Sequence, residues 1–576
     1  MPVWNLENIH DIKDTDKILA DIKKNVDEFK KVRPKLNEDL APADLVKFLQ
    51  QYEELKDVSY RVGGLAELWT CEDSSNAKAN AHRARVNDIL TELGNETVFF
   101  SLWFTLISDS AAKKFIGQSG KYKHFLEVIR LFKDHTLPEK EEQIISLLSV
   151  SGSDAVVNLY DIVTNRFLFD WAGKKVGQSE LTKNYTDQDP SVRKAAYTTV
   201  LSRYKDEEPI LGEIYTNIVR NWRAEGMKLR KFESPISRRN LGNEIPDKAV
   251  DVLLQVVKDN AKLFQDYFKL KFKLLKIDAL DRFHLYAPYE MKEKDYPFED
   301  CKKAVLDAYD KFSPKMGKMA REIFDANQVH SELTPNKRTG AFCFTITNKL
   351  HPYILLNHAG KLNDLVTMMH EFGHGIHSVC AKDQTLFTAH APLPLAETAS
   401  IFGELILLKQ LLKGATDEEK IYLITKELDK QYASIGRQAF FVLFEVQAHE
   451  MISKGCTLDE LNAAYRENLI AQFGKDMRID ELFNHEWKYI PHMYHTPFYC
   501  YAYAFGNLLV LALYRLYEKE GESFVPKYLK LLSYGGSKFP EEMLSELGID
   551  MFSKAFWQQG FDIIKEEVET LKKLIK

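Results

Sequence analysis

The sequence predicts a mainly α-helical protein with one small β-sheet, and three observations predict it. Apolar residues recur at three- and four-residue spacing through most of the 576 positions. Short β-prone runs are confined to 336–360. Directly after them comes a helical pattern, 362–382, that carries histidines at helical spacing. Apolar residues at 45% and charged residues at 28% suit a soluble globular chain large enough for several cores.

Residues 1 to about 200 read as helix after helix. Ile18, Ile22, Val26 and Phe29 form one stripe, and 58–68 and 77–93 continue the pattern. Thr136-Leu-Pro-Glu and Asp189-Pro190 are helix starts, with a cap, a proline in the first turn and acids or a helical pattern following. Pro, Ser, Asn and Gly collect in 233–247 and break the pattern. Arg238 and Arg239 in that break could meet a substrate carboxylate or simply face solvent. Pro246 and Asp247 then open a long helix with Val250, Leu253, Leu254, Val257, Ala261, Phe264 and Phe268 on one stripe.

The β-prone runs are Ala341–Thr347 and Tyr353–Leu356, bounded by Gly340, Asn348, Pro352 and Gly360. They predict a small sheet beside the next helix. An edge strand there could hold a peptide by adding it as a further strand, with Gly340 and Ala341 as candidate substrate-binding residues.

In 362–382, Leu362, Leu365, Val366, Met369, Phe372, Ile376 and Val379 define the apolar stripe of a helix, started by Asn363 and Asp364. Within it stands His370-Glu371-Phe372-Gly373-His374, an H-E-x-x-H motif. Residues four apart lie one turn from each other on one helix face, so both imidazoles can point at one ion, with Glu371 beside a water on that ion. Gly373 and Gly375 weaken the helix by about 1 kcal/mol each, which points to close approach by substrate or a neighbouring strand. A catalytic zinc takes three protein ligands and leaves a position open. His377 is a poor third ligand, because seven residues climb about 10.5 Å along the axis. The metzincin continuation is absent, since His377 and Cys380 occupy its places. After Pro392 and Pro394 comes an apolar helical pattern with Glu397 and Glu404 seven apart, two turns along the same face. Carboxylates on such a face are costly to bury unless they are paired or metal-bound. Glu397 is therefore the expected third ligand, and Glu404 the acceptor that orients a ligand histidine.

HEFGHGIH followed by LAETASIFGE closely resembles the oligoendopeptidase F branch of the M3 family of zinc metallopeptidases. His370, Glu371, His374, Glu397 and Glu404 match that family's pattern residue by residue. KRTGAFCF, which includes Arg338, PYILLNHAG and PFYCYAYAFGN resemble the same branch. The resemblance implies a two-lobed helical body with a deep central channel, one Zn²⁺ per chain, and cleavage of short unstructured peptides. It implies an N-terminal helical lobe at 1–195 and an M3-type catalytic region at 196–576.

Beyond the metal motif, 408–480 returns to amphipathic helices, and His449 and Glu450 there make no ligand spacing. Residues 490–507 gather His492, Tyr494, His495, Tyr499, Tyr501 and Tyr503. Acyl-transfer chemistry at a metal gains from a donor aimed at the developing oxyanion. The family resemblance assigns such a role to a His and tyrosines in this part. Tyr494 and Tyr501 match its tyrosine spacing, His492 and His495 are both candidates for the His, and Tyr499 is a candidate substrate-binding residue. Aromatic core packing is the competing role for these rings. Gly535 and Gly536 allow either a turn or a close approach.

These readings predict a zinc endopeptidase in which Glu371 takes a proton from the attacking water and passes it to the leaving amine. An exopeptidase would need a cluster dedicated to a peptide terminus, and a non-catalytic peptide-binding protein with a structural metal would need a fourth ligand. Neither is visible. A net charge of −6 with no basic tract argues against nucleic acid. Apolar runs are too short to span a membrane, no secretory signal is evident, and six scattered cysteines suit a reducing cytoplasm.

Overall fold

Helices start where the sequence supplies a cap. Asp189 accepts the Ser191 amide at 2.7 Å, and Pro190 opens helix Pro190–Asp206. Thr457 and Glu460 exchange hydrogen bonds at the start of Leu458–Phe473, forming a capping box. A computed structural model of the chain describes residues 1–291 and 294–575. Helices make up 72% of the fold, which is therefore mainly α. The stripe from Val250 to Phe268 covers two helices, Asp247–Asp259 and Ala261–Leu274, where the sequence suggests one. Asn260 lies between them and donates its side-chain amide to the Val256 carbonyl, a bond that competes with helix propagation.

Five short strands occur among the described residues. β1 (Phe169–Trp171) and β2 (Lys174–Val176) form a hairpin. β3 (Val329–His330), β4 (Phe342–Phe344) and β5 (Tyr353–Leu355) form a sheet in the order β3-β5-β4. β4 and β5 are the two expected strands. β3 pairs parallel to β5 and is too short to show an alternating pattern in the sequence.

The chain forms two compact units, each assembled from three stretches. One holds Met1–Lys133, Lys292–Lys413 and Leu516–Ile549; the other holds Asp134–Met291, Gly414–Arg515 and Asp550–Lys576. The 1–195 and 196–576 division expected from sequence concerns regions along the chain, whereas these units are defined by packing. Helical patterning shows where helices lie along the chain, but distant segments choose their partners by packing.

In the first unit, Leu19, Ile22 and Val26 of helix Thr15–Lys30 pack on Leu55, Val62 and Ala66 of helix Pro42–Glu72. The far end of the latter, at Leu65, Leu68 and Cys71, packs with Trp4 on Ile346, Tyr353 and Leu355. The sheet is thereby fixed on one side by N-terminal residues. In the second unit, Tyr215, Tyr494 and Trp487 form an aromatic centre, and Leu508–Leu513 is fully enclosed. Among the described residues no helix is long and apolar enough to cross a membrane.

Candidate active site

The expected metal helix is Leu362–Cys380. Asp364 sits three residues inside its start and accepts the backbone amides of Lys361 and Ala359 at 2.9 and 2.8 Å. The glycines inside it are explained by a neighbouring helix, Thr398–Lys413. A Cβ on Gly373 would lie 2.4 Å from Ser400 Cα and 2.6 Å from the Ala399 carbonyl oxygen. From the other side, a Cβ on Gly403 would come within 3.4 Å of the Met369 carbonyl oxygen. The two backbones thus meet through glycine on both helices. The close approach at Gly373 is made by a helix rather than by a strand or substrate. At Gly375 the neighbours are side chains, Ile323 and, from β5, Ile354.

This contact brings the sequence-separated carboxylates to the histidines. Glu397 ends the short helix Leu393–Ala396 and accepts the Ile401 amide through its carbonyl, so it stands just ahead of Thr398–Lys413. Its Oε2 lies 3.4 Å from His370 Nε2 and 3.5 Å from His374 Nε2, and the two Nε2 atoms are 3.2 Å apart. Three ligands on one tetrahedral zinc, at bond lengths near 2.0–2.1 Å, would stand about 3.3–3.4 Å from one another. His370, His374 and Glu397 therefore match a tetrahedral metal's face in donor type and spacing. Ser400 Oγ donates to Glu397 Oε2 at 2.8 Å and holds it.

Glu404 Oε1 lies 2.7 Å from His370 Nδ1 and accepts its proton, leaving Nε2 as the lone pair. Burial lowers the proton affinity of His370, but the carboxylates of Glu404, Glu397 and Glu371 together outweigh it and the net shift is upward. For His374 burial dominates and the shift is downward. His377 is buried and is pushed down to about 4 by that burial. It lies outside the ligand group, as the helical rise requires.

Glu371 is 6% exposed, and burial pushes its carboxyl up to about 7. The Cys343 backbone, in β4, lies beside it and partly offsets that rise. In β5 the amide of Ile354 bonds Gln328, and that of Leu356 bonds His330, on the β3 side. Hydrogen bonding along β5 alternates, so Tyr353 and Leu355 face their partners Phe344 and Phe342 in β4. The main-chain groups of Ala341, Cys343 and Thr345 accordingly point to the outer edge of β4, which carries no strand among the described residues.

A cleft of about 500 Å³ runs along that edge, with Ala341 to Thr345 on one wall and His370, Glu371 and His374 on its floor. Gly340, at φ +82°, shapes the turn before the strand and gives its carbonyl to Asn357, so it serves the loop rather than the cleft lining. His390 and Ala391 line the cleft's rim. Their loop is held from behind by Gly535 and Gly536, where a Cβ would strike the carbonyls of Thr388 and His390 at 2.7 and 2.3 Å.

The model for Peptidase family M3 matches residues 185–563, and that for the N-terminal part of Oligopeptidase F matches 103–169. The chain belongs to peptidase family M3. This M3 peptidase is 29% identical over 569 residues to an Oligoendopeptidase F homolog of Borreliella burgdorferi, covering 95% of this chain and 94% of the relative. To Oligopeptidase PepF of Bacillus subtilis it is 26% identical over 601 residues, covering 99% and 87%. The fold is shared with oligoendopeptidase-F from Enterococcus faecium, with a TM-score of 0.72, 20% identity and coverage of 97% and 99%. It is likewise shared with PZ peptidase A with inhibitor 2, at a TM-score of 0.72, 16% identity and coverage of 96% and 97%.

In the second unit of this M3 chain the C-terminal candidates separate into two groups. Tyr494 is 1% exposed, stacks on Tyr160 at 3.9 Å and donates its hydroxyl to the Leu211 carbonyl. Tyr501 is fully enclosed, and its hydroxyl oxygen accepts the Asn243 amide at 2.8 Å. Both are packed in the interior of this unit. His492 and Tyr499 are half-buried and stack at 5.8 Å, with Tyr503 edge-on to both and its hydroxyl 3.5 Å from His492 Nε2. His495 is held by Asp161 at 2.9 Å. Spacing alone could not sort these residues, since burial depends on which helices cover them. Arg238 and Arg239 are engaged internally, by Glu225 and Trp222 and by the Pro497 carbonyl respectively. Ser400, Gly403 and the Cys343 backbone escaped the sequence reading. The small residues at 399, 400 and 403, opposite Gly373, are the signal that could have found the first two.

Proposed function

We propose that this peptidase is a zinc-dependent endopeptidase that hydrolyses internal bonds of short unstructured peptides. The observation that carries the proposal is the triangle of His370 Nε2, His374 Nε2 and Glu397 Oε2, with sides of 3.2–3.5 Å and the Glu371 carboxylate next to it. Three protein ligands leave room for water, which is the catalytic rather than the structural pattern. Bound there, one Zn²⁺ supplies Lewis acidity that lowers the pKa of a water and polarises a carbonyl oxygen.

The chain's own residues do the rest. Glu371 takes the proton of the attacking water on a carboxylate oxygen and delivers it to the leaving amine. Glu404 keeps the His370 proton on Nδ1 throughout. The outer edge of β4 holds the substrate backbone through the main chain of Ala341 and Thr345, which gives binding with little dependence on side chains. Of the C-terminal candidates, His492 and Tyr499 are only half-buried, and hydrogen-bond donation to substrate is their proposed part. The relatives named oligoendopeptidase F support endo-cleavage, and six free cysteines fit a reducing cytoplasm.

The test is mass spectrometry of products from a ladder of peptides and one folded protein, with and without a chelator, beside Glu371→Gln. Internal cleavage of short peptides alone, lost with chelator and in the variant, is the expected result. Release of single terminal residues would replace the proposal with an exopeptidase. Failure of the metal-loaded protein to cleave any peptide would leave a non-catalytic peptide-binding protein.

A further inference from the structure

Next to the metal cleft lies a second cavity, of about 420 Å³, that the proposed mechanism does not use. Helices Pro42–Glu72 and Ala77–Asn95 wall it on one side and the end of β4 on the other. Leu55, Tyr60, Leu90, Leu93 and Ile346 make its lining mainly apolar, and Tyr60 is 48% exposed although large and aromatic. Phe344, Thr345 and His390 line both cavities, so the second continues the first along the strand.

Two glycines in the interior of helix Pro42–Glu72 shape this space. Gly64 admits Ile346, whose side chain would stand 2.9 Å from a Cβ there. At Gly63 a Cβ would only reach ordinary contact with Leu90, at 3.4 Å, so its missing side chain leaves room rather than relieving a clash. Lys56 also lines the cavity. Its ammonium lies 5.2 Å over the Tyr52 ring and has no carboxylate partner among the described residues. Burial lowers its proton affinity, in keeping with a charge held in apolar surroundings.

We propose that this cavity is a specificity pocket that takes one bulky apolar side chain of the peptide, aromatic or long aliphatic, and rejects lysine and arginine. The inference rests on the peptidase reading with substrate laid along β4. Along an extended peptide, side chains on one face recur about every 6.6–6.8 Å. The cavity opens at Phe344–Ile346, past Cys343 at Glu371, so it meets a side chain a few residues from the scissile bond. An apolar side chain gains by leaving water there, whereas a basic one would bring a second cation beside Lys56.

The test uses the zinc-loaded full chain and one quenched-fluorescence peptide in which each position, from four before to four after the scissile bond, is changed in turn to Phe, Ala or Lys. One position is expected to favour Phe over Ala by at least about tenfold in kcat/KM, with Lys the poorest. Leu90→Trp should bring the Phe-to-Ala ratio at that position toward one. Lys56→Glu should raise the Lys peptide at that position relative to Ala. Fluorescence anisotropy with Glu371→Gln, alone and combined with each change, reads the same preferences as Kd without turnover, and thermal unfolding checks that every variant is folded. Hydrolysis whose side-chain preference neither change shifts would overturn the pocket and leave the peptidase standing. Phe-dependent binding that Leu90→Trp abolishes, in a protein that cleaves nothing, would keep the pocket and overturn the peptidase reading. Loss of both hydrolysis and binding would overturn both.

Discussion

Glu404 Oε1 holds the Nδ1 proton of His370 at 2.7 Å, across the contact between the two helices of the site. That bond selects the tautomer that offers Nε2 to a metal. Removing it leaves the ring free to turn and to carry its proton on the wrong nitrogen. Glu404→Ala should weaken zinc binding about 10- to 100-fold, measured by competition with a chelator, with activity regained at saturating zinc. Glu404→Gln, whose carbonyl oxygen can still accept the proton, should fall between the wild type and Glu404→Ala.

Glu371 lies beside the ligand triangle without belonging to it. Glu371→Gln should keep the zinc content of the wild type, read by elemental analysis, and lose about 10²- to 10⁴-fold in turnover. Near-normal turnover would move the general base elsewhere.

Gly373 separates two opposing effects. Helix propensity alone would make Gly373→Ala stabilising by about 1 kcal/mol. The new methyl would stand 2.4 Å from Ser400 Cα, a backbone atom that cannot swing aside. Overpacking of this kind costs about 1–3 kcal/mol, so the variant should melt at lower temperature and bind zinc less tightly. Gly117→Ala, in helix Asp109–Gln118 with nothing within 4 Å, should show the propensity gain instead. Calorimetry on the pair tests both signs.

The aromatic residues at the C-terminal end predict a contrast in kind. Tyr501→Phe leaves the buried Asn243 amide without its acceptor and should cost about 1–3 kcal/mol of stability with turnover largely kept. Tyr499→Phe and His492→Ala should leave stability near the wild type and reduce turnover. A loss on the order of 10²–10³ in turnover for Tyr501→Phe would return it to the oxyanion role.

Glu445 is fully buried, and burial raises its carboxyl to about 8 from an ordinary 4.5. Its Oε1 accepts the amide of Phe498, which has a φ of +59°. The folded state therefore holds a proton that the unfolded chain gives up from about pH 4.5 upward. The stability tied to that proton is fully present below pH 4.5 and is lost as the pH rises through 8. Glu445→Gln keeps an acceptor for Phe498 and carries no charge. It should flatten this decline, exceeding the wild type above pH 8 by on the order of a few kcal/mol in denaturant titrations.

The helix Leu362–Cys380 was legible because its information is local: histidines four apart share a face on any α-helix, and the apolar stripe establishes that the segment is one. β4 and β5 were legible from β-prone runs between turn residues. β3, with two residues, has too little length to carry an alternating pattern. The break at Asn260 was hidden because apolar spacing continues across it, whereas the side-chain bond to Val256 depends on geometry.

By itself, the sequence determined the residue types of the site and the two-histidine spacing, which helix periodicity turns into a shared face. Tertiary structure alone decided which chain segments share a compact unit, since those contacts join residues hundreds of positions apart. It also decided that glycine faces backbone at 373, that Cys343 of β4 lies beside Glu371, and that Tyr494 and Tyr501 are enclosed while His492 and Tyr499 are not. The physical reason is the same in each case. A side chain's chemistry is written in its own residue, but its burial and its partners belong to the elements packed against it.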